Sequence, residues 1–237
     1  MKTDQPSDEA VIDVPDAVGD ASAIEQADVE VAKAVAPYRN SRTVRWLGHL
    51  SELADQPPLI TICSATLAWG LLSGNRRLAR AGGRMLAAEL VATAIKSGVK
   101  RSVDRTRPKL LVEEGRYDLS AGSASEGPIN SFPSGHTAGA VTVARAFARD
   151  YPEHAAVAYA AAAAAAAIQV PRCTHYPTDI AAGTVVGLVA EVAVSAVLDA
   201  LLPAERSEDA GDEGSTPLLL LTDASRAPDR LARSATP

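Results

Sequence analysis

Sulfur and large aromatic side chains are scarce in this chain of 237 residues. It has two cysteines, two methionines, two phenylalanines and two tryptophans, and aromatics make up 4% of it. Cys63 and Cys173 alone exclude a disulfide framework or a cysteine-rich zinc fold. An excess of positive charge is also missing: the formal net charge is −6, which argues against a nucleic-acid partner. What is present is a 47% apolar share, held mostly by alanine, which excludes a wholly disordered chain. Alanine favours helix and buries little surface, so the composition predicts an all-α fold with close-packed helices.

The charge is uneven. Residues 1–30 carry nine acids and one base, and residues 204–237 carry seven acids and four bases. The stretch between them is net basic. Residues 1–21 and 204–237 therefore read as disordered acidic tails without helical periodicity. Residues 22–56 read as an amphipathic helical region broken at Pro37.

Beyond that region only helices are expected. Pro57 to Asn75 is uncharged over 19 residues, about the length of a bilayer span. Asn75–Arg84 reads as a basic loop, followed by a helix at 85–103. A long loop covers 104–133, and further helices are expected at 134–149, 155–171 and 177–202. The fourth of these five helices includes eight consecutive alanines from Ala160. Small residues suit close packing of membrane helices. Glu89, Lys96, Arg145 and Glu191 lie inside helices, and in hydrocarbon each needs an interior to face.

Three segments carry chemistry. Lys100, Arg101, Arg105 and Arg107 gather four bases where a helix ends, a setting that attracts anions. Pro133-Ser134-Gly135-His136 precedes a helix, where free backbone N–H groups bind phosphate and glycine allows close approach. His136 beside such an anion is placed as a general acid; Ser134 as a plain N-cap is the bland alternative. His175 and Asp179 are four apart at a helix start, so the carboxylate can hold the imidazole in one tautomer and free its other nitrogen for attack. A capping aspartate with an incidental histidine is the alternative there. His136, His175 and Asp179 as a metal set is disfavoured by the surrounding cations. Cys173, two residues before His175, reads as a small packing residue.

In Lys100 followed after six residues by Arg107-Pro108, in Pro133-Ser134-Gly135-His136, and in His175 with Asp179, the chain resembles the type 2 phosphatidic acid phosphatase (PAP2) superfamily. The resemblance covers roughly residues 57–202, within a domain bounded at 57–203. It implies a metal-independent phosphomonoester or pyrophosphate hydrolase, without a cofactor, built as a helical bundle with five membrane spans and acting on a lipid phosphate. By the same resemblance His175 is the nucleophile that forms a phosphohistidine, Asp179 orients it, and His136 protonates the leaving oxygen. Lys100, Arg107, Ser134 and Gly135 would hold the phosphoryl oxygens. One departure stands out: the family's arginine six residues before the nucleophile is Gln169 here, and Arg172 is the nearby base expected to take its place.

If the five helices all span, the three motifs fall on one membrane face. The positive-inside rule then puts Arg76, Arg77, Arg80 and Arg84 in the cytoplasm and the site on the outer face of a bacterial-type inner membrane. Arg39, Arg42 and Arg45 count against that orientation. Two other readings stand beside the membrane lipid phosphatase: a soluble family member acting on small phosphoesters, and a non-catalytic lipid-binding bundle with a degenerate site. The sequence is silent on oligomeric state.

Overall fold

A computed structural model describes residues 18, 21–122 and 130–201. The tails expected at 1–21 and 204–237 lie outside these, apart from Val18 and Ala21. Among the described residues there are eight α-helices: α1 (Ala23–Val35), α2 (Arg42–Ser51), α3 (Gln56–Leu72), α4 (Arg76–Lys100), α5 (Pro108–Glu114), α6 (Gly135–Asp150), α7 (Ala155–Ala167) and α8 (Pro177–Leu201). The all-α expectation holds. A short antiparallel ladder joins β1 (Val103–Arg105) to β2 (Leu119–Ala121), with Val103 opposite Ala121.

Helix α4 is the axis of the bundle, packed on α3, α6 and α8, with α7 against α6. Backbones approach closely because glycine removes the Cβ. A Cβ on Gly183 would fall 2.5 Å from the Ser134 carbonyl oxygen, and one on Gly187 would fall 2.6 Å from that of Ala138. These two glycines sit four apart on α8 and seat it on α6, in the small-xxx-small manner of membrane helices.

Two expectations need correction. The basic loop at 75–84 is helix: α4 begins at Arg76, where the Asn75 side chain caps it by accepting from Leu78 N–H at 3.0 Å. The arginines tolerate helix because acids on the ends of α6 and α8 receive them. Arg77 Nε donates to the Asp150 carbonyl at 2.6 Å, and Arg84 Nη2 to Asp199 Oδ1 at 2.7 Å. The long loop at 104–133 also holds structure, namely α5 and the ladder; Pro108 starts α5 at a position where its missing N–H costs nothing. Helix α7 is shorter than expected and ends at Ala167, in a series of turns that runs to Thr174.

The charges inside the helices do face inward. Glu191, fully buried, accepts from Arg145 Nε at 2.8 Å, from Arg149 Nε, and from Ser195 Oγ at 2.6 Å. Glu89 is buried against Gly139 and Thr93, and Lys96 Nζ donates to Gln56 Oε1 at 3.3 Å. On the outer faces of α3, α7 and α8, Trp69, Leu72, Val157, Val185 and Val189 are each more than half exposed. Helix α8 is the one described helix with both the length and the hydropathy to cross a membrane.

Candidate active site

The three sequence motifs meet at one end of the bundle. Helix α6 begins where Ser134 caps it, its Oγ accepting from Thr137 N–H at 3.4 Å and from Thr137 Oγ1 at 3.0 Å. Ser134 N–H donates to the Asp179 carbonyl at 3.0 Å, so the starts of α6 and α8 are tied together. Ser134 is fully buried, and its hydroxyl serves the cap. Gly135 gives Lys96 room to lie close: a Cβ there would be 3.4 Å from Lys96 Nζ. Lys96 is therefore a cation beside the cradle that the motif pattern missed, although it lies on α4 four residues before Lys100.

His175 ends the turn before α8. Its Nδ1 lies 3.6 Å from Asp179 Oδ2, just beyond hydrogen-bond length. Catalytic hydrogen bonds are commonly long in unliganded sites and tighten on binding. Burial holds the His175 imidazole below the ordinary histidine range, and the Asp179 carboxylate opposes this only in part. The ring is thus neutral at neutral pH, the form a nucleophile requires. Asp179 is itself braced: Oδ2 accepts from Tyr176 N–H at 2.8 Å, and Oδ1 accepts from Arg105 Nη1 at 2.8 Å.

Lys100 Nζ, at the end of α4, donates to the Asn130 carbonyl at 2.9 Å. Burial lowers the Arg107 pKa, and the nearby Arg172 adds to that effect. Arg107 Nε, His136 Nε2 and His175 Nδ1 are all buried without a hydrogen-bond partner among the described residues. His175 Nδ1 faces Asp179 and His136 Nε2 faces Glu52, each just beyond hydrogen-bond length, whereas an unpaired buried donor such as Arg107 Nε is rare.

Gln169 and Arg172 have different work. Gln169 is fully buried, and its carbonyl accepts from Thr174 N–H at 3.1 Å and His175 N–H at 3.3 Å. Its side chain accepts from Thr174 Oγ1 at 2.8 Å and donates to Ser51 Oγ at 3.2 Å. It shapes the turn that carries His175 rather than reaching for an anion. Arg172 lies across Gly48 and donates to Ser51 Oγ at 2.9 Å and to Glu52. Its guanidinium is near enough to act on Arg107 and His136, yet its charge is engaged by a carboxylate.

Glu52 Oε2 is also 3.7 Å from His136 Nε2. Ligand atoms of Glu52, Asp55 and His136 fall within 4.8 Å of one another. A cation there would compete with Arg172, which already donates to Glu52. Between α2, α3, α6 and α7 opens a cavity of about 780 Å3, lined by Leu50, Leu53, Leu59, Phe147 and Ala162 and reaching Ser51. Cys173, in the left-handed region at φ 57°, is buried, and burial pushes its thiol up to about 11. That leaves it a packing residue.

Comparison with known proteins identifies the family and the fold. The family model of the PAP2 superfamily matches residues 81–202, just over half of the chain. Two solved structures share the fold. LpxE of Aquifex aeolicus aligns with a TM-score of 0.55 at 18% identity, over 71% of this chain and 94% of that one. A transmembrane PAP2-type phosphatidylglycerolphosphate phosphatase from Bacillus subtilis aligns with a TM-score of 0.57 at 21% identity, over 80% of this chain and 92% of that one. No curated protein matches in sequence.

Proposed function

The chain belongs to the PAP2 superfamily and is a phosphatase of that type, and from that premise we propose that it hydrolyses a lipid phosphate or pyrophosphate through a phosphohistidine on His175. The carrying observation is the His175–Asp179 pair set beside the buried Arg107, whose Nε has no hydrogen-bond partner among the described residues. Phosphoryl transfer needs in-line placement and clustered positive charge. Lys100, Arg107 and the free N–H groups at the start of α6 supply the charge and the donors. His175, neutral and backed by Asp179, attacks phosphorus. His136, whose Nε2 stands 3.7 Å from Glu52 Oε2, gives its proton to the departing oxygen. Water then cleaves the phosphohistidine, and His136 takes a proton back.

A lipid substrate fits the rest of the molecule. The apolar cavity adjoins the cationic end and is of a size that takes small-molecule ligands. The exposed faces of α3, α7 and α8 are apolar while the charged side chains turn inward, the arrangement a bilayer demands. Trp46 on α2 and Trp69 at the far end of α3 are both exposed and suit the two membrane interfaces. We place the chain in a cell membrane with the site at the interface. A soluble enzyme acting on small phosphoesters is the second reading, favoured by α8 being the one described helix with spanning length and hydropathy.

The test is phosphate release by detergent-purified protein from phosphatidate, phosphatidylglycerophosphate and a polyprenyl pyrophosphate. Release from at least one, its loss in His175→Ala, and trapping of an alkali-stable, acid-labile label on the protein after an alkaline quench are expected. Equal rates for wild type and His175→Ala would overturn the mechanism. Recovery of the protein without detergent in the soluble fraction would favour the second reading.

A further inference from the structure

A buried chain of charges runs from the N-terminal helix to the nucleophile. Asp28 on α1 is 3% exposed, Arg105 on β1 is 2% exposed, and Asp179 on α8 is fully buried. Arg105 Nη2 donates to Asp28 Oδ2 at 2.8 Å, as Nη1 does to Asp179 Oδ1. Asp28 Oδ1 accepts from Thr178 N–H at 3.1 Å, and Thr178 Oγ1 donates to Asp28 Oδ2 while accepting from Arg105 Nη1 at 2.7 Å. The guanidinium lies over the Tyr176 ring, 4.2 Å from its centroid. Residues 175–179 are thereby gripped from behind by a side chain that begins some 150 positions earlier in the sequence.

None of α1 lies within residues 81–202, the stretch that the family model matches. An acid on an amphipathic helix has no need to be buried. Burying charges is costly and is weak evidence for stability in itself. What the trio does fix is Asp179.

We propose that Asp28 is a positioning residue of this phosphatase: held across Arg105, it sets the direction and the charge of the Asp179 carboxylate behind His175, which makes α1 part of the working site. The inference rests on His175 being the nucleophile. Arg105 has one charge to share between two carboxylates. While Asp28 takes part of it, Asp179 keeps its attraction for the His175 imidazole. Without Asp28, Arg105 bears wholly on Asp179 and is free to draw it out of line. The charged groups facing His175 are Asp179 from α8, Arg107 from the segment after β1, and Lys100 from the end of α4. Those around Arg105 are Asp28 and Asp179, with Tyr117 and Glu25 beyond. Removing the Asp28 charge makes this surrounding more positive, which disfavours the imidazolium.

Full-length Asp28→Asn in detergent tests this. The expected kcat falls roughly ten- to a hundredfold, the rate equivalent of one charge-assisted hydrogen bond. KM stays within about twofold, as for an interaction made in the transition state alone. The acid limb of kcat/KM moves to lower pH. Glu30→Gln removes the same charge from an exposed site on the same helix and leaves all three unchanged. Wild-type kcat and an unmoved pH profile in folded Asp28→Asn would overturn the proposal, even with a lowered melting temperature. If Asp28→Asn does not fold, Asp28→Glu decides: it keeps the charge and misplaces it, so a melting temperature near wild type with kcat at least about threefold down supports positioning, and full kcat overturns it. Histidine-labelled NMR titration separates this inference from the function itself. A downward shift of His175 in Asp28→Asn supports the coupling even if no lipid phosphate is hydrolysed, and an unmoved His175 refutes it.

Discussion

Gly183 offers the sharpest test of how the bundle holds its site. A methyl group there would lie 2.5 Å from the Ser134 carbonyl oxygen, and real Cβ contacts essentially never fall under 3.0 Å, so α8 must move off α6 by about half an ångström. The blocking atom is backbone, which no rotamer change relieves. The bond from Ser134 N–H to the Asp179 carbonyl, 3.0 Å long, stretches to roughly 3.5 Å, where little of it survives. Overpacking costs about 1–3 kcal/mol and the lost hydrogen bond about 1 kcal/mol. Together they lower the melting temperature of Gly183→Ala by about 5–15 °C. Activity suffers more than stability, because the same shift parts His175 from the α6 N-terminus, and sub-ångström to 1 Å misplacements cost up to ~100-fold. Thermal melts in detergent and phosphate release at saturating substrate measure the two effects. Gly98→Ala on α4 is the control: nothing lies within 4 Å of its added methyl, so it gains about 0.4–1 kcal/mol in stability. If Gly183→Ala melts like the wild type and turns over at its rate, the close approach of α6 and α8 does not position the site.

The pH dependence should follow His175. Its folded pKa is depressed by burial, so the native state resists protonation while the unfolded chain accepts it near the ordinary value of about 6.5. The stability held by the neutral ring is therefore present above that value and lost as pH falls below it, and the acid limb of kcat/KM attributable to His175 lies below about 6.5; an acid limb centred above 7 would contradict the burial argument. Cys173, whose thiol stands at about 11, should resist iodoacetamide at pH 7.5 in the folded protein and react on unfolding; rapid alkylation without loss of structure would show that the turn before His175 is open. Millimolar vanadate, a mimic of the trigonal phosphoryl group, should inhibit by occupying the His175 site; undiminished turnover would refute the phosphohistidine.

Local signals made much of this legible. Proline, serine and glycine before a helical run gave the start of α6, and the four-residue spacing of His175 and Asp179 needed only a helix beginning between them. Partners distant in sequence were out of reach. Residues 76–84 read as a loop because the acids that pair with Arg77, Arg80 and Arg84, namely Glu153, Asp150 and Asp199, stand far along the chain. Asp28 read as one polar residue of an amphipathic helical region, since nothing near it announces a buried arginine. Gln169 looked like a missing charge, whereas its backbone carbonyl and amide organise the His175 turn. Arg105 was visible as one base among four, and its special role appears only once Asp28 and Asp179 close on it from both sides.

The clasp of Glu191 on Arg145 and Arg149 also bears on how the chain is made. During synthesis α6 emerges before α8. A charge in a bilayer is costly unless it is paired, and α6 carries its arginines unpaired with Glu191 until that residue arrives 42 residues after Arg149. If α6 crosses a bilayer, as the proposed function implies, its settling in lipid waits on α8. A ribosome stalled before α8 then leaves α6 without its counter-charge, and insertion becomes a late, paired event rather than one that runs helix by helix.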